Sequence, residues 1–270
     1  MKIVSFNTNG IRARPHQLGR LKETLAPDIL GIQETKVRDE EFPLEMIAEL
    51  GYHAEFFGQK GHYGVALLSQ KAPLEVGKGF PGDEDDAQRR LIWARYEQVS
   101  GKPLTVINGY FPQGESREHP TKFPAKRKYY KDLLEFLESD FRPSDDLILM
   151  GDVNVAHKDE DIGLGEANAK RWLKTGKCAF LPEEREWLEA LMAWGLEDTF
   201  RAQHPGVDVL SWFDYRSRGF DREPKHGLRI DLIMATKGLM ARCEDSGIDY
   251  AIRGMERPSD HCPIWVQVGG

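Results

Sequence analysis

Leu147-Ile148-Leu149-Met150-Gly151-Asp152-Val153-Asn154 is the stretch on which the reading of this chain turns. A short apolar run closed by a glycine has the length and composition of a strand and is too brief for a helix. An acid, Asp152, and an amide, Asn154, follow it at once. Working outward, the same pattern recurs. Strand-like runs rich in Val, Ile, Leu and Phe occupy 2–6, 28–32, 64–69, 90–95, 104–110, 146–150, 229–235 and 263–268. Asn7 follows the first, and Glu34 follows the second in Gly31-Ile32-Gln33-Glu34-Thr35. Val106-Ile107-Asn108-Gly109-Tyr110 closes on Asn108 and Tyr110. Asp231 lies inside Leu228-Arg229-Ile230-Asp231-Leu232-Ile233-Met234, and Asp260-His261 immediately precedes the last run. One such residue means little, because Asn and Asp often cap strands and open turns. Six strands that each deliver an acid, amide or imidazole at one end meet the requirement of a strand-edge active site.

Helices are expected between some of these runs. Residues 15–26 open on Pro15, place Leu18, Leu21 and Leu25 on one face and stop before Pro27. Pro124 opens a second, with Tyr130, Leu133, Leu134 and Leu137 in register, and Pro182 opens a third that ends at Gly195. Proline at the first helical turn and glycine at the end are the usual signs. Strands and helices in this irregular order predict an α/β fold with much antiparallel sheet, not a regular βαβ array. With 270 residues and no linker, low-complexity segment or fixed-period repeat, one domain spanning 1–270 is expected.

The net charge of −7 argues at first against a nucleic-acid partner, yet basic stretches with aromatics stand out locally. Residues 117–131 carry Arg117, His119, Lys122, Lys126, Arg127, Lys128 and Lys131 with Phe123, Tyr129 and Tyr130. Lys170, Arg171, Lys174 and Lys177 surround Trp172, and Arg216, Arg218, Arg222, Lys225 and Arg229 lie near Trp212, Phe213, Tyr215 and Phe220. Such mixtures fit backbone tracking plus base or sugar contact, although any one of them alone reads more simply as a solvated face. Cys178, Cys243 and Cys262 are odd in number and widely spaced, which suits buried thiols in a reducing compartment and predicts the cytoplasm. No apolar run reaches bilayer length, and no membrane partner is expected.

The polar set has a chemistry of its own. Carboxylates and carboxamides, without cysteine and with a single histidine, suit a hard cation such as Mg²⁺, with Mn²⁺ as a substitute. A Mg²⁺ site keeps positions for water and phosphate oxygens, which is the division of labour a phosphodiesterase needs. A second group must then deprotonate water. Asp231 in its apolar run needs a buried partner, and His261 is the best candidate.

Several segments resemble one known family. Met1–Asn9 with Gly10-Ile11-Arg12-Ala13-Arg14-Pro15, then Gln33-Glu34-Thr35-Lys36 and Gly58–Ala66, are similar to the exonuclease III type of the endonuclease/exonuclease/phosphatase superfamily. So are Asn108–Gly114, Gly151-Asp152-Val153-Asn154, Ser211–Arg216 and Ser259-Asp260-His261, in order from end to end. The resemblance implies a four-layer α/β/β/α sandwich, two packed mixed sheets flanked by helices. It implies a DNA-repair phosphodiesterase acting on duplex DNA, including abasic and 3′-blocked DNA. The implied activities are 3′→5′ exonuclease, incision 5′ to abasic sites and removal of 3′-phosphates. A monomer is expected.

By the same resemblance, Glu34 is the primary metal ligand, with Asn7 and Asp260 in its cluster. Asp152 is the favoured base, with His261 the alternative. Asn154 holds the phosphate, Asp231 orients His261, and Tyr110 contacts the phosphate or the leaving group. One-metal and two-metal schemes both stay open, and in the second Asp152 and Asn154 become ligands. Arg90, Gln113 and Lys122 are candidate DNA contacts, and Trp212 is the candidate wall for an extruded abasic sugar. The rival readings are a phosphoesterase of the superfamily acting on inositol phosphates or sphingomyelin, and a non-catalytic DNA-binding module.

Overall fold

The computed structural model describes residues 1–269. In chain order the strands are β1 (Lys2–Asn7), β2 (Ile29–Gln33), β3 (His53–Phe57), β4 (Val65–Ser69), β5 (Glu75–Lys78), β6 (Leu91–Tyr96), β7 (Leu104–Tyr110), β8 (Asp146–Asp152), β9 (Leu196–Asp198), β10 (Asp231–Thr236), β11 (Cys243–Ile248) and β12 (Ile264–Val268). The helices are α1 (Pro15–Thr24), α2 (Leu44–Glu49), α3 (Lys122–Asp140), α4 (Glu166–Lys174), α5 (Pro182–Gly195), α6 (Thr199–Gln203), α7 (Lys237–Met240) and α8 (Tyr250–Arg253).

Two six-stranded sheets result, ordered β11-β12-β1-β2-β4-β3 and β5-β6-β7-β8-β10-β9. The pairs β1/β2 and β7/β8 are parallel and the remaining neighbours antiparallel. Period-2 alternation assigns each central strand two apolar faces. Ile3 of β1 and Ile148 and Met150 of β8 point between the sheets. Val4 and Phe6 of β1 meet Leu18 and Leu21 of α1 and Ile252 of α8. On the opposite outer face, Leu147 and Leu149 meet Tyr130, Leu133 and Leu137 of α3 and Leu188 and Leu191 of α5. This is the four-layer α/β/β/α sandwich.

Inside the sandwich the alternation carries a gradient. The inward positions of β1 run Ile3, Ser5, Asn7, and those of β8 run Ile148, Met150, Asp152. The interior thus begins apolar and ends polar at one rim. Just behind that rim, Gln33 donates to Ser5 Oγ at 3.0 Å and to Asn108 Oδ1 at 2.6 Å. Asn108 in turn donates to the carbonyls of Ile32 and Ala66, both at 2.9 Å, and so ties one sheet to the other. Among the described residues no helix is long and apolar enough to cross a membrane.

Candidate active site

Strand direction gathers the site. β1 and β2 run in parallel and end together at Asn7 and Gln33, with Glu34 next. β7 and β8 do the same, with Tyr110 opposite Asp152. β10 is antiparallel to β8, so its first residue, Asp231, pairs with Asp152. β12 is antiparallel to β1, so His261, three residues before it, arrives at the same rim. The close approach of β7 and β8 here requires a glycine. Gly151 has φ 143°, and a Cβ on it would stand 1.9 Å from the Gly109 carbonyl oxygen. Asn9, Glu34, Lys36 and Asn154 all hold positive φ, between 46° and 55°. Left-handed backbone at non-glycine residues costs energy and clusters where function demands a fixed side chain.

Ligand atoms of Glu34, Asp152 and His261 all lie within 4.8 Å of one another. Asn7 Nδ2 donates to both Glu34 Oε1 and Asp152 Oδ2 at 3.0 Å, while its Oδ1 accepts the Asn9 N–H at 3.0 Å. Both ends of the amide are therefore engaged. Asn7, expected as a metal ligand, here bridges the two carboxylates. Asp260, also expected as a ligand, stands outside the trio: its oxygens accept from Asn9 Nδ2 at 2.8 Å and Trp212 Nε1 at 3.0 Å. Asn154 donates its side-chain N–H to the Phe111 carbonyl at 2.9 Å, and its backbone N–H reaches Asp152 Oδ1 at 3.1 Å. Its position fits a group that holds a substrate oxygen.

The electrostatics follow from burial and neighbours. Burial alone pushes the Glu34 carboxyl up, but Lys36 at 2.7 Å, Asn7 and His261 outweigh it and hold the group below its ordinary value. Asp152 has no lysine beside it, only the His261 ring at 3.7 Å. Burial, and then the carboxylates of Asp231 and Glu34, push it up to about 8 against the pull of His261. Burial would lower His261, yet Asp231 and Asp152 raise it to about 10. His261 Nδ1 lies 2.9 and 3.0 Å from the two Asp231 oxygens, and its Nε2 lies 3.7 Å from Asp152 Oδ2. Ser211 Oγ donates to Asp231 Oδ2 at 2.6 Å while accepting the N–H groups of Ile230 and Asp231. Asp231 and His261 thus meet as the sequence led one to expect. One buried and one half-buried carboxylate bridged by a single amide nitrogen are a hard-oxygen donor set that fits Mg²⁺ or Mn²⁺.

These groups line a cleft of about 140 Å³ together with Tyr110, Gln113 and Asp260. Trp172, Trp212, Leu228 and Ile230 form its apolar wall. The expected DNA contacts are placed unevenly. Gln113 is exposed and lines the cleft. Lys122 is exposed but paired with Glu115 at 2.6 Å. Arg90 is a buried support: its guanidinium stacks on Tyr63 at 4.0 Å and Tyr110 at 4.8 Å and donates to the Tyr110 carbonyl. The basic stretches also need correction. Lys126 and Arg229 are core residues, each paired with buried acids, and Tyr129 and Tyr130 belong to the core as well. Arg117, Lys128 and Lys131 pair with exposed or half-buried acids. Sequence reasoning missed Lys36, Asn9 and the Ser211 hydroxyl, and it treated Trp172 only as part of a basic stretch. The spacing Glu34-x-Lys36 was the available signal for the first.

Comparison with known proteins decides the lineage. Residues 4–261 match the Endonuclease/Exonuclease/phosphatase family. The chain belongs to that family. Among endonuclease/exonuclease/phosphatase members it is 56% identical over 268 residues to Exodeoxyribonuclease III of Haemophilus influenzae, covering 99% of each chain. A 3′ phosphatase from Neisseria bound to product DNA hairpin superposes with a TM-score of 0.89 at 35% identity, covering 100% of both chains. An AP endonuclease from Archaeoglobus fulgidus gives 0.89 at 34% identity, covering 99% of both.

Proposed function

We propose that this chain is a DNA-repair nuclease of the exonuclease III type, a hydrolase of DNA phosphodiesters. One observation carries the reading: carboxylates from two different sheets converge with a charged histidine beside an apolar wall, in a chain 56% identical to an exodeoxyribonuclease III. The substrate is duplex DNA, trimmed from 3′ ends, incised 5′ to abasic sites and freed of 3′-phosphates. In all three reactions the bond broken is P–O3′, so one arrangement of groups serves them all.

Mg²⁺, with Mn²⁺ as a substitute, would be held by Glu34 and would supply charge neutralisation for the phosphate oxygens. His261, kept charged by Asp231, donates through Nε2 to a non-bridging oxygen. Because that ring is charged, the proton of the attacking water goes to Asp152 in its ionised form, which burial and the neighbouring carboxylates disfavour below about pH 8 and which a bound cation would favour. The water oxygen bonds to phosphorus while the P–O3′ bond breaks. Tyr110, whose hydroxyl burial and the Glu34 and Asp152 carboxylates keep protonated, stands by the leaving 3′ oxygen. Asn154 orients the phosphate. Trp212, fixed by its bond to Asp260, meets the deoxyribose. The proposal places a one-domain monomer in the cytoplasm, supported by three free cysteines.

The test is a labelled duplex with one abasic-site analogue, beside the undamaged duplex and a 3′-phosphate duplex, with and without Mg²⁺. Incision and trimming are expected only with the metal. Glu34→Gln should lose about 10²- to 10³-fold in kcat, the size of several kcal/mol of charge stabilisation, with the melting temperature unchanged. Full activity in excess chelator overturns the metal assignment. Hydrolysis of inositol phosphates without DNA cleavage overturns the substrate class.

A further inference from the structure

The Lys126–Glu184 ion pair sits in the core, with both side chains fully buried. Its ammonium also donates to the carbonyl of Asn154 at 2.8 Å and to that of Gln113 at 3.4 Å. One turn further along α3, Tyr130 Oη donates to the carbonyl of Val153 at 2.7 Å. Two side chains at i and i+4 on one helix face therefore grip consecutive carbonyls of the segment that follows β8. Glu184 completes the frame by accepting the Leu181 N–H at 2.9 Å. A buried ion pair contributes little net stability, and apolar replacements of similar volume are often neutral or better. Stability thus gives no strong reason for charges at this spot. Their contacts give another: they land on the backbone of Asn154, a residue with φ 53° whose orientation the reaction needs.

We propose that Lys126 and Glu184, with Tyr130, form a positioning device that fixes the Asp152–Asn154 segment, and with it the side chain of Asn154, for phosphoryl transfer. Lys126 touches no substrate. It acts through the backbone it holds, from within the core. The inference rests on the nuclease reading above and deepens it.

The experiment uses the double variant Lys126→Met/Glu184→Leu, which removes both charges together, with Tyr130→Phe as a milder single variant should the first fail to fold. A displacement of the segment by about 1 Å costs on the order of a hundredfold. We expect kcat on the abasic duplex to fall about 10- to 100-fold for the double variant, with KM and the melting temperature little changed. Tyr130→Phe should lose about threefold, on the same scale. In an Asn154→Ala background the double variant should cost less than threefold, since the residue it positions is already gone. Amide hydrogen exchange of residues 152–156 should quicken in the double variant without DNA present, a readout independent of activity. Unchanged kcat and exchange overturn the proposal, as does a full additional loss in the Asn154→Ala background. A wild-type chain that cleaves no DNA would refute the nuclease reading instead, and the exchange result would still judge the positioning claim.

Discussion

Replacing Asp231 by Asn tests the charge state of the site most directly. The carboxylate sits 2.9 Å from His261 Nδ1 in a place where both residues are almost completely buried. Burial opposes the imidazolium, and Asp231 first, then Asp152, reverse that and lift His261 to about 10. From an ordinary value of about 6.5, the difference corresponds to roughly 5 kcal/mol in favour of the charged ring, an upper figure shared between two acids. A group raised in the folded state stabilises fully below its unfolded value and loses that contribution as pH climbs through its folded value. For His261 the window runs from about 6.5 to about 10. With Asn at 231 the ring titrates far lower and is largely neutral at pH 8. Single-turnover incision of a duplex with one abasic analogue, between pH 5.5 and 9, is the assay. The variant should be slower by about 10²- to 10⁴-fold at pH 8 and should regain rate toward pH 6 as the ring reprotonates. His261→Ala and Asp231→Ala should then be strongly non-additive, because they act as one unit. A variant that loses rate equally at every pH would refute the charged-histidine account.

Trp212→Ala removes part of the apolar wall of the cleft, the part proposed to meet the sugar. Stacking contacts of this kind are worth about 1–3 kcal/mol, so abasic incision at subsaturating substrate should slow about 10- to 100-fold, while 3′-phosphate release suffers less; equal losses would remove Trp212 from damage recognition. Arg229→Met removes the guanidinium that Asp161 and Asp198 share in the core, leaving Asp161 with Arg201, and equilibrium urea unfolding should show a loss of about 3–5 kcal/mol. Burial pushes the Asp161 carboxyl up, but Arg229 and Arg201 overcome it and hold it below its ordinary value. Its contribution is therefore present above about pH 4 and lost as pH falls through that lowered value, so the gap between Arg229→Met and wild type should hold down to about pH 4 and narrow below it.

The eight runs legible as strands are the eight interior strands of the two sheets. The four that escaped, β3, β5, β9 and β11, are the four sheet edges. A central strand packs on both faces and announces itself as an apolar run. His53–Phe57 and Glu75–Lys78 are exposed or half-buried along their lengths and carry little apolar signal. α3 begins at Lys122, before Pro124, because proline is tolerated within the first helical turn. In the site, Glu34, Tyr110, Asp152, Asn154, Asp231 and His261 were legible because each ends or flanks an apolar run. Lys126 and Arg229 were misread because sequence shows a charge but not the buried acid it meets. The orientation of Asn7 was equally hidden, since it depends on the Asn9 N–H and on two carboxylates from different sheets.

The strand orders hold a symmetry. Read from β11 to β3 and from β5 to β9, both sheets show two antiparallel pairings, one parallel pairing and two antiparallel pairings. Matched strand by strand, β1 corresponds to β7 and β2 to β8. Asn7 then corresponds to Tyr110, and Gln33, one residue before Glu34, to Asp152. The two halves of the molecule are topological twins, and each brings one carboxylate to their common seam. Neither twin alone gathers both carboxylates; the cluster is a property of the pair, created by their apposition.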